Sequence, residues 1–180
     1  MSVKREDSRS RASRAGVKKH IVALAAAGAV VAALATAALA TPGFNVVSAT
    51  VWARGEFADA VDIKLKLRDE RDVLHVPDAA DTVMQQIVIG PGGHTGWHSH
   101  FGPAIALITI GELTVYSSED PACAGRSYGA GQAFVDSGQG HVHLGRNLTT
   151  ENTEVWVTYL DVPPGSGPRI DAADPGNCGF

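Results

Sequence analysis

Gly92-Gly93-His94-Thr95-Gly96-Trp97-His98-Ser99-His100 is the stretch from which the rest of the chain is read. Three histidines fall within seven residues, and His98 and His100 stand two apart, so an extended backbone projects both imidazoles from one face. Neutral imidazole is the commonest side-chain ligand for zinc, iron, copper or nickel, and two on one strand can fill adjacent corners of a coordination polyhedron. An HxH pair alone also occurs as a surface accident. A second cluster raises its weight: Gly140-His141-Val142-His143, followed by Asn147, repeats the same-face spacing. Ligands drawn from two strands distant in sequence are what a β-barrel or sandwich produces.

Outward from these clusters the chain reads as strands. Val46–Ala53, Ile63–Leu67, Thr82–Ile89, Ala104–Ile110, Glu112–Tyr116, Ala133–Asp136, His141–Gly145 and Glu154–Leu160 are short runs rich in β-branched and aromatic residues, separated by Gly, Pro, Asp or Ser. Ile63-Lys64-Leu65-Lys66-Leu67 alternates, as a half-buried strand does. No segment after Ala40 has a helical period, though 58–61 or 77–81 has room for a turn. The expected fold class is all-β.

The two histidine clusters resemble the paired motifs of the cupin superfamily. Gly92, His98, His100 and Gly111 fall in register with the first motif, with Ala104 where that motif has a Glu; Gly140, His143 and Asn147 match the second, with Gly138 at its usual Pro. The resemblance covers residues 83–162 and implies a jelly-roll β-barrel (double-stranded β-helix). It also implies a divalent transition metal, Fe, Zn, Mn or Ni, on His98, His100 and His143. Three protein ligands with an open position characterise a catalytic rather than a structural metal. Ala104 removes the anionic ligand that most metal-binding cupins have, but cupin enzymes that oxidise thiols use a three-histidine iron site. His141 is the candidate fourth ligand or supporting residue. His94 is a candidate at the cavity mouth, and Trp97 and Gln86 are candidate pocket residues. Asn147 starts a glycosylation sequon, Asn147-Leu148-Thr149, but its register with His143 favours a turn role.

The N-terminus reads as an export address. Residues 1–20 form a basic, cytoplasmic region, with seven Lys or Arg against two acids in the first 19 residues. Residues 21–40 then run without a charge, as a signal-peptide h-region or membrane anchor, an apolar helix ahead of the barrel. Ala38-Leu39-Ala40 offers small residues for cleavage before Thr41, and cleavage is favoured over retention. No twin-arginine pair occurs in the basic stretch, which favours the general export route. Residues 41–180 are then a single extracytoplasmic domain, secreted or anchored.

Of 15 basic residues 8 remain in that part, against 17 of the 19 acids, a net charge near −9. Such a field excludes nucleic acid as a partner and leaves membrane contact to residues 21–40 if uncleaved. Cys123 and Cys178 are two loop cysteines, read as one disulfide; the rival reading, two metal thiolates, lacks a CxxC pairing. A small-molecule ligand or substrate is the expected partner. A homodimer through an exposed sheet edge is one arrangement. Two functions stay open: a metal-dependent oxygenase, and a non-enzymatic binding module or vestigial site.

Overall fold

The computed structural model describes residues 39–66 and 73–180. The basic segment and nearly all of the apolar segment at the N-terminus lie outside the described residues. Twelve strands are present: β1 (Phe44–Gly55), β2 (Ile63–Leu65), β3 (Leu74–Val76), β4 (Asp81–His94), β5 (His98–Ser99), β6 (Ala104–Ile110), β7 (Glu112–Ser117), β8 (Arg126–Gly129), β9 (Ala133–Asp136), β10 (His143–Arg146), β11 (Thr153–Val162) and β12 (Ile170–Asp171). Among the described residues there is no helix, and 58–59 and 77–78 are bends.

Pairing is antiparallel throughout. Strand β4 lies between β1 and β11, and β11 continues to β6 and then β9. Beyond its glycine-rich bend β4 changes partners, so that His94 sits opposite Arg146 of β10. Strand β10 in turn borders β5 and β7, and β7 pairs with β8. One long strand thus joins two layers, giving an almost closed jelly-roll barrel.

The period-two pattern explains its core. Val83 and Ile89 of β4, Ala104, Ala106 and Ile108 of β6, and Val155, Val157 and Tyr159 of β11 all turn inward and are buried together. Their neighbours in sequence face out, so Met84, Ile105 and Leu107 are exposed and Trp52 stacks on Trp156 on the outer surface. Trp156 and Tyr159 therefore serve opposite faces. Gly138, at the position where the related motif has Pro, has a φ of +63°, and a Cβ there would lie 1.9 Å from the Gly102 carbonyl oxygen. Only glycine fits that close approach.

The C-terminal tail closes the barrel over the histidine strand. Ile170 and Asp171 of β12 pair with Ser99 and His98, and Ala172 N donates to the Trp97 carbonyl. Cys123 and Cys178 form a disulfide that ties this tail to the loop after β7. Trp97, Leu144 and Cys178 pack in a second buried cluster beneath it.

Candidate metal centre

Strand register brings the histidines together. His143 is the direct cross-strand partner of His98, and His100 follows one residue beyond β5. All three are buried. Their ring centroids are 4.4 Å (His98–His143), 4.9 Å (His98–His100) and 5.1 Å (His100–His143) apart. One ring nitrogen from each lies within 4.8 Å of the other two.

Hydrogen bonds fix which nitrogen faces inward. His98 Nδ1 lies 2.9 Å from the Gly96 carbonyl oxygen and His100 Nδ1 lies 2.8 Å from that of Pro168. A carbonyl can only accept, so both Nδ1 atoms carry the proton and both Nε2 lone pairs are free. Burial keeps the rings neutral. It pushes His98 well below the ordinary imidazole range, with His143 and Arg169 adding to the effect, and lowers His100. Burial also brings His143 to about 4, although Asp136 opposes the shift. Neutral, buried imidazoles with oriented lone pairs are the donor set a divalent transition metal requires, so the residues fit such an ion.

A carboxylate stands one strand away from Ala104. Asp136 of β9 is the register partner of Ala104, is buried, and places Oδ1 3.3 Å from His143 Nδ1, short of hydrogen-bond alignment. Desolvation would raise its pKa, but the hydrogen bond from His141 and the neighbouring imidazoles outweigh that, and the net shift is downward. His141 Nδ1 donates to Asp136 Oδ1 at 2.7 Å, and its Nε2 lies 3.0 Å from Ser117 Oγ; Gly138 N donates to Asp136 Oδ2 at 2.9 Å. The Ser117–His141–Asp136 order matches a hydrolytic triad in connectivity. Ser117 Oγ, however, accepts from the Glu119 amide and lines neither cavity described below, which makes the chain a strut for Asp136. Asp136, His141 and His143 also form a second group with metal-ligand spacing, which shares His143 with the first.

Two cavities adjoin the histidines. An internal one of about 50 Å³ is lined by His98, His100, His143, Ala104, Asp136 and apolar core residues. An open cleft of about 440 Å³ reaches His98 and His100 from the side of β1 and is lined also by Gln85, Tyr159 and Arg169. Tyr159 donates its hydroxyl proton to Gln85 Oε1 at 3.0 Å, and burial raises its pKa, so it stays protonated.

Several expected site residues stand elsewhere. Gln86 points outward and accepts from Trp52 Nε1 at 3.1 Å; Gln85, of opposite parity, takes the inward place. Trp97 lines neither cavity, because it is buried under the disulfide-tied tail. His94 lies beyond the bend in β4, accepts from Gly96 N and faces Phe44, outside both linings. His141 precedes β10 rather than belonging to it, so the same-face rule does not govern it. Asn147 is fully buried, donating to Ile89 and Glu151 carbonyls and accepting from Thr149, which leaves no room for a glycan in the folded state.

A jelly-roll path, a histidine pair at and just beyond one short strand and a third histidine opposite the first are now all in place. The fold is a double-stranded β-helix barrel. No family model matches the chain, and no curated protein matches it. Similar solved structures include the polyketide cyclase RemF from Streptomyces resistomycificus, with 16% identity, a TM-score of 0.42, and coverage of 51% of this chain and 60% of that one. An oxalate oxidase has 21% identity and a TM-score of 0.42, covering 49% and 45%. A protein with a double-stranded β-helix domain from Klebsiella pneumoniae has 19% identity and a TM-score of 0.41, covering 52% and 76%. The match spans about half the length of the first two. These likenesses are of fold alone.

Among the described residues, Asp136 holds the only carboxylate in the lining of the inner cavity. Asp136→Asn is expected to weaken metal affinity about 10–100-fold, as loss of a supporting carboxylate does, with the fold intact. Gln86→Ala is expected to leave it unchanged. Competition against a chelating dye measures both.

Proposed function

We propose that this chain is an exported cupin metalloprotein whose centre, His98, His100 and His143, serves an oxygenase-type reaction on a small organic substrate. The observation that carries the reading is the pair of Nδ1–H bonds to backbone carbonyls, which leaves Nε2 free on two imidazoles that line a cleft. Three neutral protein ligands leave coordination positions for other molecules. When bound, a redox-active divalent metal supplies electron transfer to oxygen and Lewis acidity toward substrate.

The chain's own residues do the rest. The carbonyls of Gly96 and Pro168 fix the imidazole tautomers, and Asp136 supplies negative charge beside His143. The Tyr159 ring packs against His100, with 4.8 Å between ring centroids, while its hydroxyl donates to Gln85. Ile87, Val155 and Val157 keep the inner wall apolar. Export is supported by the basic-then-apolar N-terminus together with the Cys123–Cys178 bond, a pairing typical of oxidising compartments.

Iron-loaded protein is expected to consume oxygen with at least one member of a panel of thiols, phenols and diketones, and His143→Ala is expected to abolish the uptake. Full metal occupancy with uniform inactivity overturns the enzyme reading in favour of a binding module. The apolar inner cavity holds no acid or base beyond Asp136, Tyr159 and the three histidines, which is the observation favouring that second reading.

Acid should weaken the folded state. His143 titrates near 4 when folded and at its ordinary value of 6.5 when unfolded, so between those pH values the unfolded chain binds the extra proton. Its contribution is complete above 6.5 and is lost as pH falls toward 4, by about 3 kcal/mol for this residue. Asp136, shifted below 3.8, acts only at still lower pH. Denaturant midpoints measured in metal-free buffer from pH 7.5 to 4 should fall across that window, and less in His143→Ala.

A further inference from the structure

The open cleft carries a charge pattern of its own. Among the described residues, Arg169 is its only ionisable cation apart from the histidines, and no carboxylate lines it. Arg169 Nε donates to Asp171 Oδ1 at 2.5 Å, while its Nη1 and Nη2 have no protein partner among the described residues. Gln85 spends Oε1 on the Tyr159 hydroxyl, and its amide nitrogen has no partner there either. Thr95 Oγ1, by contrast, both donates to the Gly96 carbonyl and accepts from Gly145 N. Arg169 Nη1 and Nη2 and the Gln85 amide are thus unpaired donors in the lining, beside the acceptors Asn45 Oδ1 and the Nε2 atoms of His98 and His100, and the guanidinium charge calls for an anionic ligand.

Arg169 is also held in fixed relation to the metal centre. It lies between Pro168, whose carbonyl holds His100, and Ile170, which pairs with Ser99 between the two histidines. Val46, Ala49 and Ile87 form an apolar stretch of the wall, beside the polar Asn45, that suits a short carbon skeleton. A cation in this cleft also stands out in a domain whose net charge is near −9, with 17 acids against 8 bases.

Resting on the proposed reading of the histidines as a metal centre, we infer that the cleft is a subsite for small organic monocarboxylates. Their anionic end pairs with Arg169, and their carbon body lies toward His98 and His100. A guanidinium offers two parallel N–H donors to a carboxylate, and an amide of the same shape cannot replace the charge.

The test is calorimetric titration of the full chain, loaded with redox-inert zinc, with benzoate and propionate beside benzamide and propionamide, and with inorganic phosphate. Both carboxylates are expected to bind about ten-fold or more tightly than their amides. Arg169→Gln is expected to erase that preference, and Arg169→Lys to restore part of it. Equal binding of acid and amide, tighter binding of phosphate, or no carboxylate binding up to about 10 mM overturns the subsite. Because an open zinc position can itself take a carboxylate, the same titrations are run on zinc-free protein, where the acid–amide comparison decides this even if the Arg169 variants fold poorly. Zinc content, read on the same samples, separates the two claims. Protein that holds no zinc yet prefers carboxylates contradicts the metal reading and sustains the subsite; zinc-loaded protein indifferent to charge does the reverse.

Discussion

Replacing His143 with alanine is expected to abolish metal retention, with affinity falling by more than the roughly 100-fold that loss of a supporting residue costs. His143 is the one candidate ligand on β10, whereas His98 and His100 share a single segment around β5. Without it the remaining pair offers two nitrogens and no third. His143 is also buried beside Asp136, so its removal leaves that carboxylate with one fewer imidazole neighbour. The variant should keep its β-sheet circular dichroism, because the core of Val83, Ile89, Ile108, Val155 and Val157 does not depend on it. Elemental analysis after dialysis, on the variant and the unaltered protein together, reads the loss. A variant that retains a full equivalent of metal contradicts the assignment of His143.

Reducing the Cys123–Cys178 bond, or Cys178→Ser, is expected to be the largest stability change outside the core. The bond closes 55 residues of sequence, and chain entropy gives a loss of about 4 kcal/mol. In a domain of this size that lowers the melting temperature by roughly 10 °C or more. The effect should also reach the histidines. The tail that the disulfide holds carries β12, which pairs with His98 and Ser99, and Pro168, whose carbonyl fixes the His100 tautomer. Metal affinity should therefore fall together with stability on reduction. Scanning calorimetry with and without reductant, alongside a chelator competition, measures both, and unchanged metal affinity in a protein shown to be reduced contradicts this coupling.

The parts of this molecule legible in its sequence are those that follow period-two alternation or a paired motif. Ala104–Ile110 and Ala133–Asp136 form strands over those residues, since both are apolar runs bounded by Gly, Pro or Ser. His98, His100 and His143 could be singled out by spacing, although only pairing across β5 and β10 shows that they face one another. Strands β5 and β12 have two residues each, too few for any pattern, and β12 is defined only by its pairing with β5.

Gln86 was the wrong neighbour of Gln85 because both faces of β4 carry apolar residues, Val83 and Ile87 inside, Met84 and Val88 outside, so parity is ambiguous without the fold. Trp97 was legible as an important aromatic but not as one covered by a tail 80 residues later. Asp136 was invisible for a simpler reason: its role comes from sitting across from Ala104, a relation between strands that no linear spacing records. The signal that points to it is the missing acid itself. A motif that lacks its carboxylate directs attention to acids on the strands beside it.

The most direct test of the central claim is X-ray absorption at the edge of the metal bound to the full chain. Three converging imidazoles predict a first shell of nitrogen and oxygen near 2.0–2.2 Å, with the outer-shell scattering of about three histidine rings that falls to two in His143→Ala. A sulfur shell, a shell with no imidazole scattering, or a spectrum that His143→Ala leaves unchanged contradicts it.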